Sequence, residues 1–172
     1  MTRQIQGLIP EVVTYGLASR VNASEVDRIY DTFSETIQDL FKSNYAIVGV
    51  CAAGILIRSL APLLNQKWQE PAVLAIAEDG SAVVPLLGGI NGANQLARDI
   101  ASIFDSVAAI TTSGDVRFGT TLLSPPSGYT LVNPDDAKLF LSNVLAGKTV
   151  KLDGSAPWLE ASAALSQIAR HR

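Results

Sequence analysis

The stretch AVLAIAEDGSAVVPLLGGINGAN, residues 72–94, predicts a β-hairpin that runs into a glycine-rich turn and a helix. Two apolar runs, 72–77 and 82–87, flank Glu-Asp-Gly-Ser, and Asp-Gly between apolar runs is a strong hairpin signal. Pro85 has no backbone donor, so we expect it at the end of its strand or on a sheet edge. The spacing of apolar residues over 91–104 then predicts a helix.

Strands and helices alternate on both sides of this stretch. The run AIVGVCA is continuous and apolar, as in a strand of a parallel sheet that is buried on both faces. The predicted elements are a short strand near Val12 and Val13, a helix over 24–42 capped by Ser24, the strand 46–52, a helix to about Leu60 after a turn at Gly54, and a strand over 107–112. We therefore predict an α/β fold, a three-layer sandwich with a mostly parallel sheet and one hairpin, over residues 1–123.

Residues 124–172 are predicted to be an extension or the start of a following region. SPPSG at 124–128 is a rigid break in the chain. A helix is expected after it, with Pro134 in its first position and Gly147 at its end. We also expect a short strand at 149–152. The tail after residue 160 could be helical.

Composition excludes several classes of protein. The chain has 172 residues, of which 48% are hydrophobic and 17% charged, which indicates a well-buried core or a surface that a partner covers. A formal charge of −3 gives no basic field for nucleic acid. The only cysteine is Cys51 and the only histidine is His171, so we predict no metal site and no core-histidine triad. No signal peptide is evident, and the apolar run 46–57 is too short to span a membrane, so we expect a cytoplasmic protein.

Two turns that follow apolar strands are candidate binding sites, CAAGILIR at 51–58 and LLGGINGAN at 86–94. Helix starts offer unpaired N–H groups to carboxylates or phosphates, and glycine lets the backbone approach a ligand. Neither turn matches a nucleotide-binding fingerprint, so both could be tight connections only. Arg58 could clamp a ligand carboxylate, or it could be a solvated or surface-paired arginine.

Three further side chains could take part in chemistry. Asp115, expected in a loop after a strand, could accept a proton from water, or it could satisfy nearby N–H groups of its own turn. Asn91 and Asn94 could donate to a developing oxyanion; alternatively Asn91 caps the helix and Asn94 faces solvent. Cys51 lies in an apolar strand and is better explained as a core residue than as a nucleophile.

Three stretches in order resemble the N-terminal domain of the cobalamin-biosynthesis protein CbiG: CAAGILIRSLAPLL, then PAVLAIAEDGSAVVPLLGGINGANQLARDIA, then AAITTSGD. The likeness covers about residues 46–115. The details CAAGILIR, EDGSAVVPLLGG and TTSGDVRFG most resemble the version fused ahead of a precorrin-3B C17-methyltransferase. The family commonly has histidine after the paired glycines, where this sequence has Ile90 and Asn91.

The resemblance implies a step in corrin-ring synthesis. CbiG proteins open the δ-lactone of cobalt-precorrin-5A and release a two-carbon unit as acetaldehyde, so the implied ligand is a ring that bears many carboxylates. Asp115 and Asn91 become the catalytic candidates. The implied ring-binding residues are Ala53, Gly54, Arg58, Gly88, Gly89, Gly92, Ala93 and Asn94.

Three interpretations of function remain open. The chain could be a lactone hydrolase, with Asp115 or a bound water as base and the N–H groups of 91–94 stabilising the oxyanion. It could be a non-catalytic module that binds the tetrapyrrole ring for a fused or partner precorrin methyltransferase. It could also be a subunit-contact domain without a ligand, and its oligomeric state is open. We expect no cofactor in this chain, with S-adenosylmethionine only if a methyltransferase region follows.

Overall fold

The computed structural model describes residues 1–9, 11–118, 125–126, 128–160 and 168–169. The chain divides into two compact units, residues 1–109 and 110–172. The predicted domain boundary after residue 123 lies outside the described residues and stays a prediction.

A four-stranded sheet forms the centre of the first unit, in the order β3 (Ile47–Val50), β4 (Val73–Ile76), β5 (Ala82–Leu87), β6 (Val107–Ala108). β3 runs parallel to β4, β5 is antiparallel to β4, and β6 is parallel to β5. The antiparallel pair is the predicted hairpin, which is therefore confirmed. Pro85 lies inside β5 rather than at its end. It is tolerated there because β6 pairs only with Ala82 and Val83, so no ladder on that side requires an N–H from Pro85.

Helices cover both faces of this sheet, which confirms the three-layer prediction. Val73 and Ala75 pack with the buried residues of α2 (Phe33–Lys42) and α3 (Ala53–Leu60). Leu74 and Ile76 point to the other face, because side chains alternate along a strand, and pack with α1 (Thr2–Leu8) and α4 (Ala93–Ile103). β4 is buried at all four residues, as expected for a strand between two helical layers.

The predicted helix over 24–42 begins only at Phe33, so Ser24 is not its N-cap. Residues Ala23–Glu25 form a single 3₁₀ turn, and Arg28–Tyr30 form β2, which pairs in parallel with β1 (Tyr15–Leu17). The backbone N–H groups of Asp27 and Arg28 donate to the carbonyl of Thr14, at 3.1 and 3.0 Å. This long-range pairing replaces the helical hydrogen bonds that apolar periodicity predicted. The predicted first strand correspondingly lies at 15–17 and not at Val12 and Val13.

The second unit contains α5 (Ser113–Phe118), α6 (Pro134–Leu145), β7 (Val150–Lys151), α7 (Pro157–Glu160) and β8 (Ile168–Ala169), with β8 parallel to β7. The helix after SPPSG is confirmed: Pro134 is its first residue and Gly147, at φ +85°, follows its end. The predicted strand 107–112 is limited to Val107–Ala108. Ser124 and Ser127 of the SPPSG break, and most of the tail, lie outside the described residues; Ile168 and Ala169 are in a strand rather than a helix.

Candidate functional site

The turn between β5 and α4 is a fixed backbone structure built on two glycines. Gly88 has φ +70° and Gly92 has φ +90°, a left-handed region that side chains with a Cβ rarely adopt. Between them Gly89–Asn91 form one 3₁₀ turn. The N–H groups of Asn91 and Ala93 both donate to the carbonyl of Gly88, at 2.8 and 3.1 Å. Two of the four N–H groups that the sequence offered to an oxyanion are therefore used inside the turn.

Asn91 is not the N-cap of α4, a position that Gly92 occupies. Its side-chain amide instead donates to the carbonyls of Trp68, at 3.2 Å, and Glu70, at 2.7 Å. The amide therefore joins the glycine turn to the loop that precedes β4. The alternative that Asn91 caps the helix is therefore wrong. Its assignment as an oxyanion donor stays a prediction, and in this structure the amide donates to backbone carbonyls.

Asn94 is buried, with 4% of its surface exposed, so the interpretation that it faces solvent is wrong. It lies in the first turn of α4 beside Ala93, which is fully buried in the core. A Cβ added at Gly89 would lie 3.7 Å from the amide nitrogen of Asn94. Gly89 therefore lies beside the buried amide of Asn94.

The second predicted turn leads from β3 into α3. Gly54 is the second residue of the helix and does not make the turn, which lies at Cys51 and Ala52 before α3 begins at Ala53. Arg58 is exposed and bends back along its own helix, where Nη1 donates to the carbonyl of Gly54 at 3.1 Å. This geometry fits the alternative of a solvated arginine at the helix surface.

The two predicted turns lie at opposite ends of the sheet. Leu87, the last residue of β5, pairs with Val73, which pairs with Ile47 at the start of β3. The turn after Val50 is at the other end of β3, about 10 Å away at about 3.3 Å per residue. The first unit therefore does not bring Ala53, Gly54 and Arg58 together with the residues of the glycine turn.

A cleft of about 560 Å³ opens beside the glycine turn, at the end of the sheet where β3 and β4 begin. Asn91 belongs to its lining, as do residues of two segments that the sequence analysis did not select. These lining residues are Phe41, Lys42, Asn44, Ala46, Trp68, Gln69, Pro71 and Ala72. Sequence analysis missed them because a lysine at a helix end and a tryptophan in a loop match no motif. The signal available in the sequence was a tryptophan within the polar stretch NQKWQE.

Asp115 lies in the second unit, in the first turn of α5, and not in the loop that the sequence predicted. Its side chain is buried, with 5% of its surface exposed. A base that activates water needs contact with that water, so the buried carboxylate would have to become accessible before it could act. Its assignment as the catalytic base stays a prediction.

Residues 35–115 match the family model described as Cobalamin synthesis G N-terminal. This stretch is similar to the CbiG N-terminal domain. The chain shares 41% identity over 86 residues with a cobalt-precorrin-5A hydrolase of Salmonella typhimurium, covering 49% of this chain. A second cobalt-precorrin-5A hydrolase, from Priestia megaterium, is 28% identical over 122 residues, or 68% of this chain. The chain spans only 24% and 33% of the length of these two relatives.

A crystal structure described as a cobalamin biosynthesis protein G homolog from Sulfolobus solfataricus aligns with 78% of this chain and 42% of its own. The alignment has 26% sequence identity and a TM-score of 0.41.

The CbiG N-terminal-like segment contains the glycine turn, the start of α3 and Asp115. Ile90, which stands with Asn91 where the family commonly has histidine, is half-buried in the 3₁₀ turn. Cys51 is half-buried among the side chains of α2, α3 and β4, and this burial raises the pKa of its thiol above the ordinary 9.0. A raised thiol pKa disfavours the reactive thiolate, which agrees with a packing role.

In the described part of the chain, no cluster of three or more His, Cys, Asp or Glu side chains could hold a metal ion. No helix in the same part is long and apolar enough to cross a membrane.

Proposed function

We propose that this chain binds a corrin intermediate of cobalamin biosynthesis, of the type of cobalt-precorrin-5A. One observation carries the proposal: residues 35–115 match the CbiG N-terminal family, and this stretch includes the preformed glycine turn and the cleft beside it. The ligand is a large ring with many carboxylates, as the names of the two relatives imply. A cytoplasmic location is part of this proposal.

Binding is favoured over catalysis by the local chemistry. The Asn91 amide and two turn N–H groups are engaged in holding the turn, which leaves few donors for an oxyanion. Asn91 cannot act as a base near neutral pH, and its neighbour Ile90 has no proton-transfer group. A binding surface needs a preformed backbone with a few polar groups, and the glycine turn supplies the preformed backbone.

Lactone opening is the second candidate function, and the names of both relatives favour it. In that reaction a water oxygen attacks the lactone carbonyl and gives its proton to a base. The C–O bond of the lactone then breaks, and the ring oxygen leaves as an alcohol after it takes up a proton. That alcohol next loses its proton and becomes the C=O of acetaldehyde as its carbon's bond to the macrocycle breaks, and the macrocycle takes up the bonding electron pair and a proton. Asp115 is our candidate for the base. The reaction would have to expose its carboxylate to the water.

One experiment separates the two functions. The chain is mixed with cobalt-precorrin-5A; ring that co-elutes with protein is measured by absorbance, and released acetaldehyde by its reduction with NADH and alcohol dehydrogenase. Binding without acetaldehyde supports the module. Acetaldehyde release that Asp115→Asn slows, with ring affinity retained, supports the hydrolase. Asp135→Asn, on an exposed residue of α6, is the matched control. Absence of binding and of release contradicts both functions.

A precorrin methyltransferase is the partner that we propose, either fused to this domain or separate. Methyl transfer would then use S-adenosylmethionine bound by that partner region. The proposal predicts that a methyltransferase co-purifies with this domain or occupies the same polypeptide in its own cells.

A further inference from the structure

We propose that the cleft beside the glycine turn holds the edge of the corrin ring, with Lys42 binding a peripheral carboxylate and Trp68 packing against the ring face. This inference rests on the proposed function and assigns the bound ring to one location in the first unit. It also selects one end of the sheet over the other, since Arg58 lies at the opposite end.

The first wall of the cleft is the end of α2. The chain reverses there at Asn44, which has φ +60°, while the N–H groups of Asn44 and Tyr45 donate to the carbonyls of Phe41 and Leu40 at 3.0 and 3.1 Å. These two bonds satisfy the helix end, as in a Schellman motif. Phe41 is buried beneath, and Lys42 is the last residue of α2. The position of the Lys42 backbone is therefore well fixed.

The second wall is the loop before β4. Asn91 holds the carbonyls of Trp68 and Glu70, and Gly88 lies against the backbone of Pro71 and Ala72. The backbone of this loop is thus fixed at both ends of the segment 68–72. Trp68 nevertheless has 46% of its surface exposed. A large aromatic side chain on a fixed backbone is a ready surface for a flat ring.

The charges of the cleft suit a carboxylated ligand. Lys42 supplies an ammonium group whose side chain is 56% exposed; its pair with Asp39 spans 3.6 Å, and Asp39 is itself 78% exposed. Exposed pairs of this kind are weak, so a ligand carboxylate can compete for the lysine. Asn44 and Gln69 add amides that can hydrogen-bond carboxylates or ring amides.

The size of the cleft fits this assignment. Its volume of about 560 Å³ lies within the usual range of small-molecule sites, roughly 300–1,000 Å³. At the other end of the sheet, Arg58 donates to the carbonyl of Gly54 in its own helix.

The test uses two stable corrins as probes: cobyrinic acid, whose side chains end in carboxylates, and cobinamide, in which amides replace all of them. Affinities are measured by isothermal titration with the full chain. We expect Lys42→Gln to weaken cobyrinic acid binding about two- to fivefold and to leave cobinamide binding nearly unchanged. We expect Trp68→Ala to weaken binding of both corrins about two- to tenfold, because both have the ring face.

Lys67→Gln is the matched control, since it removes the same charge from a neighbouring exposed lysine that does not line the cleft. The inference is overturned if Lys42→Gln behaves like Lys67→Gln and Trp68→Ala binds both corrins as the wild type does. In that case wild-type binding still supports the proposed function, and weakening by Arg58→Ala would place the ring at the other end of the sheet. If the wild type binds neither corrin, the inference and the proposed function both fail.

Discussion

Replacing Gly88 with alanine should be the most damaging single-methyl change in the glycine turn. A Cβ at this position would overlap with the carbonyl oxygen of Pro71 and would lie 2.7 Å from the Cα of Ala72. Both are backbone atoms, so no side-chain rotation can relieve the contact. The residue also has φ +70°, which disfavours any residue with a Cβ.

The magnitude follows from two separate costs. A left-handed backbone costs an alanine about 1–2 kcal/mol. Forcing a methyl group into a packed site costs about 1–3 kcal/mol more. We therefore expect Gly88→Ala to lower the free energy of unfolding by about 2–5 kcal/mol, a large part of the roughly 5–15 kcal/mol that holds a typical domain folded.

Two neighbouring glycines provide controls that separate these costs. Gly92 has φ +90° and open space around an added Cβ, so Gly92→Ala should lose only the backbone term of about 1–2 kcal/mol. Gly89 lies outside the left-handed region, and its added Cβ meets the Asn94 amide at an ordinary 3.7 Å, so Gly89→Ala should change stability by less than about 1 kcal/mol.

The assay is urea denaturation followed by circular dichroism, with the free energy of unfolding extrapolated linearly to water. The expected order of stability loss is Gly88→Ala, then Gly92→Ala, then Gly89→Ala. If Gly88→Ala loses no more than Gly92→Ala, the close approach of the turn to residues 71–72 is refuted, and with it the fixed second wall of the cleft.

Three further predictions concern other parts of the first unit. Asn91→Ala removes two hydrogen bonds to the loop at 68–70, so we expect the free energy of unfolding to fall by about 1–2 kcal/mol. Backbone amides of that loop should also exchange faster in a hydrogen-exchange measurement, and unchanged exchange would contradict the role of Asn91 in holding the loop. Hydrogen bonds from the N–H and hydroxyl of Thr14 lower the pKa of Asp27 below its ordinary 3.8, so the folded state favours the carboxylate. Its stabilisation should be present above that ordinary value and lost as pH falls through the lowered pKa, so the difference in urea midpoint between the wild type and Asp27→Asn should be constant near neutral pH and shrink in acid; a difference that grows in acid would contradict this sign. Burial raises the pKa of Cys51, so iodoacetamide should alkylate it more slowly at pH 8 than a free thiol, and an equal rate would show that the thiol is not buried.

The sequence predicted the central sheet well because its signals there are local. Asp79-Gly80 between two apolar runs determines the hairpin, and the apolar run at 46–52 indicates a strand. The expectation that this strand is buried on both faces is wrong, because β3 is an edge strand and Val50 at its end is exposed. The start of α2 could not be predicted in the same way. The apolar spacing continues back to Val26, but the backbone N–H groups of residues 27 and 28 donate to the carbonyl of Thr14, which is distant in sequence. Those N–H groups are therefore not available to a helix.

The candidate site was predicted in part. The glycine turn was found because its two left-handed positions need glycine, but the role of Asn91 depends on carbonyls more than twenty residues away. The sequence analysis placed both turns at one end of the sheet, because the carboxyl ends of strands in a parallel sheet lie at the same edge. The hairpin reverses β5, so its carboxyl end lies at the amino ends of β3 and β4. Lys42 and Trp68 were missed because only folding brings them to one cleft.

The most direct test of the central claim is an equilibrium titration of the chain with cobalt-precorrin-5A, followed by tryptophan fluorescence. We predict saturable binding with one ring per chain, and quenching that persists in Trp158→Phe because Trp68 reports the bound ring. An absence of saturable binding up to millimolar ring would contradict the claim that this domain holds a corrin intermediate.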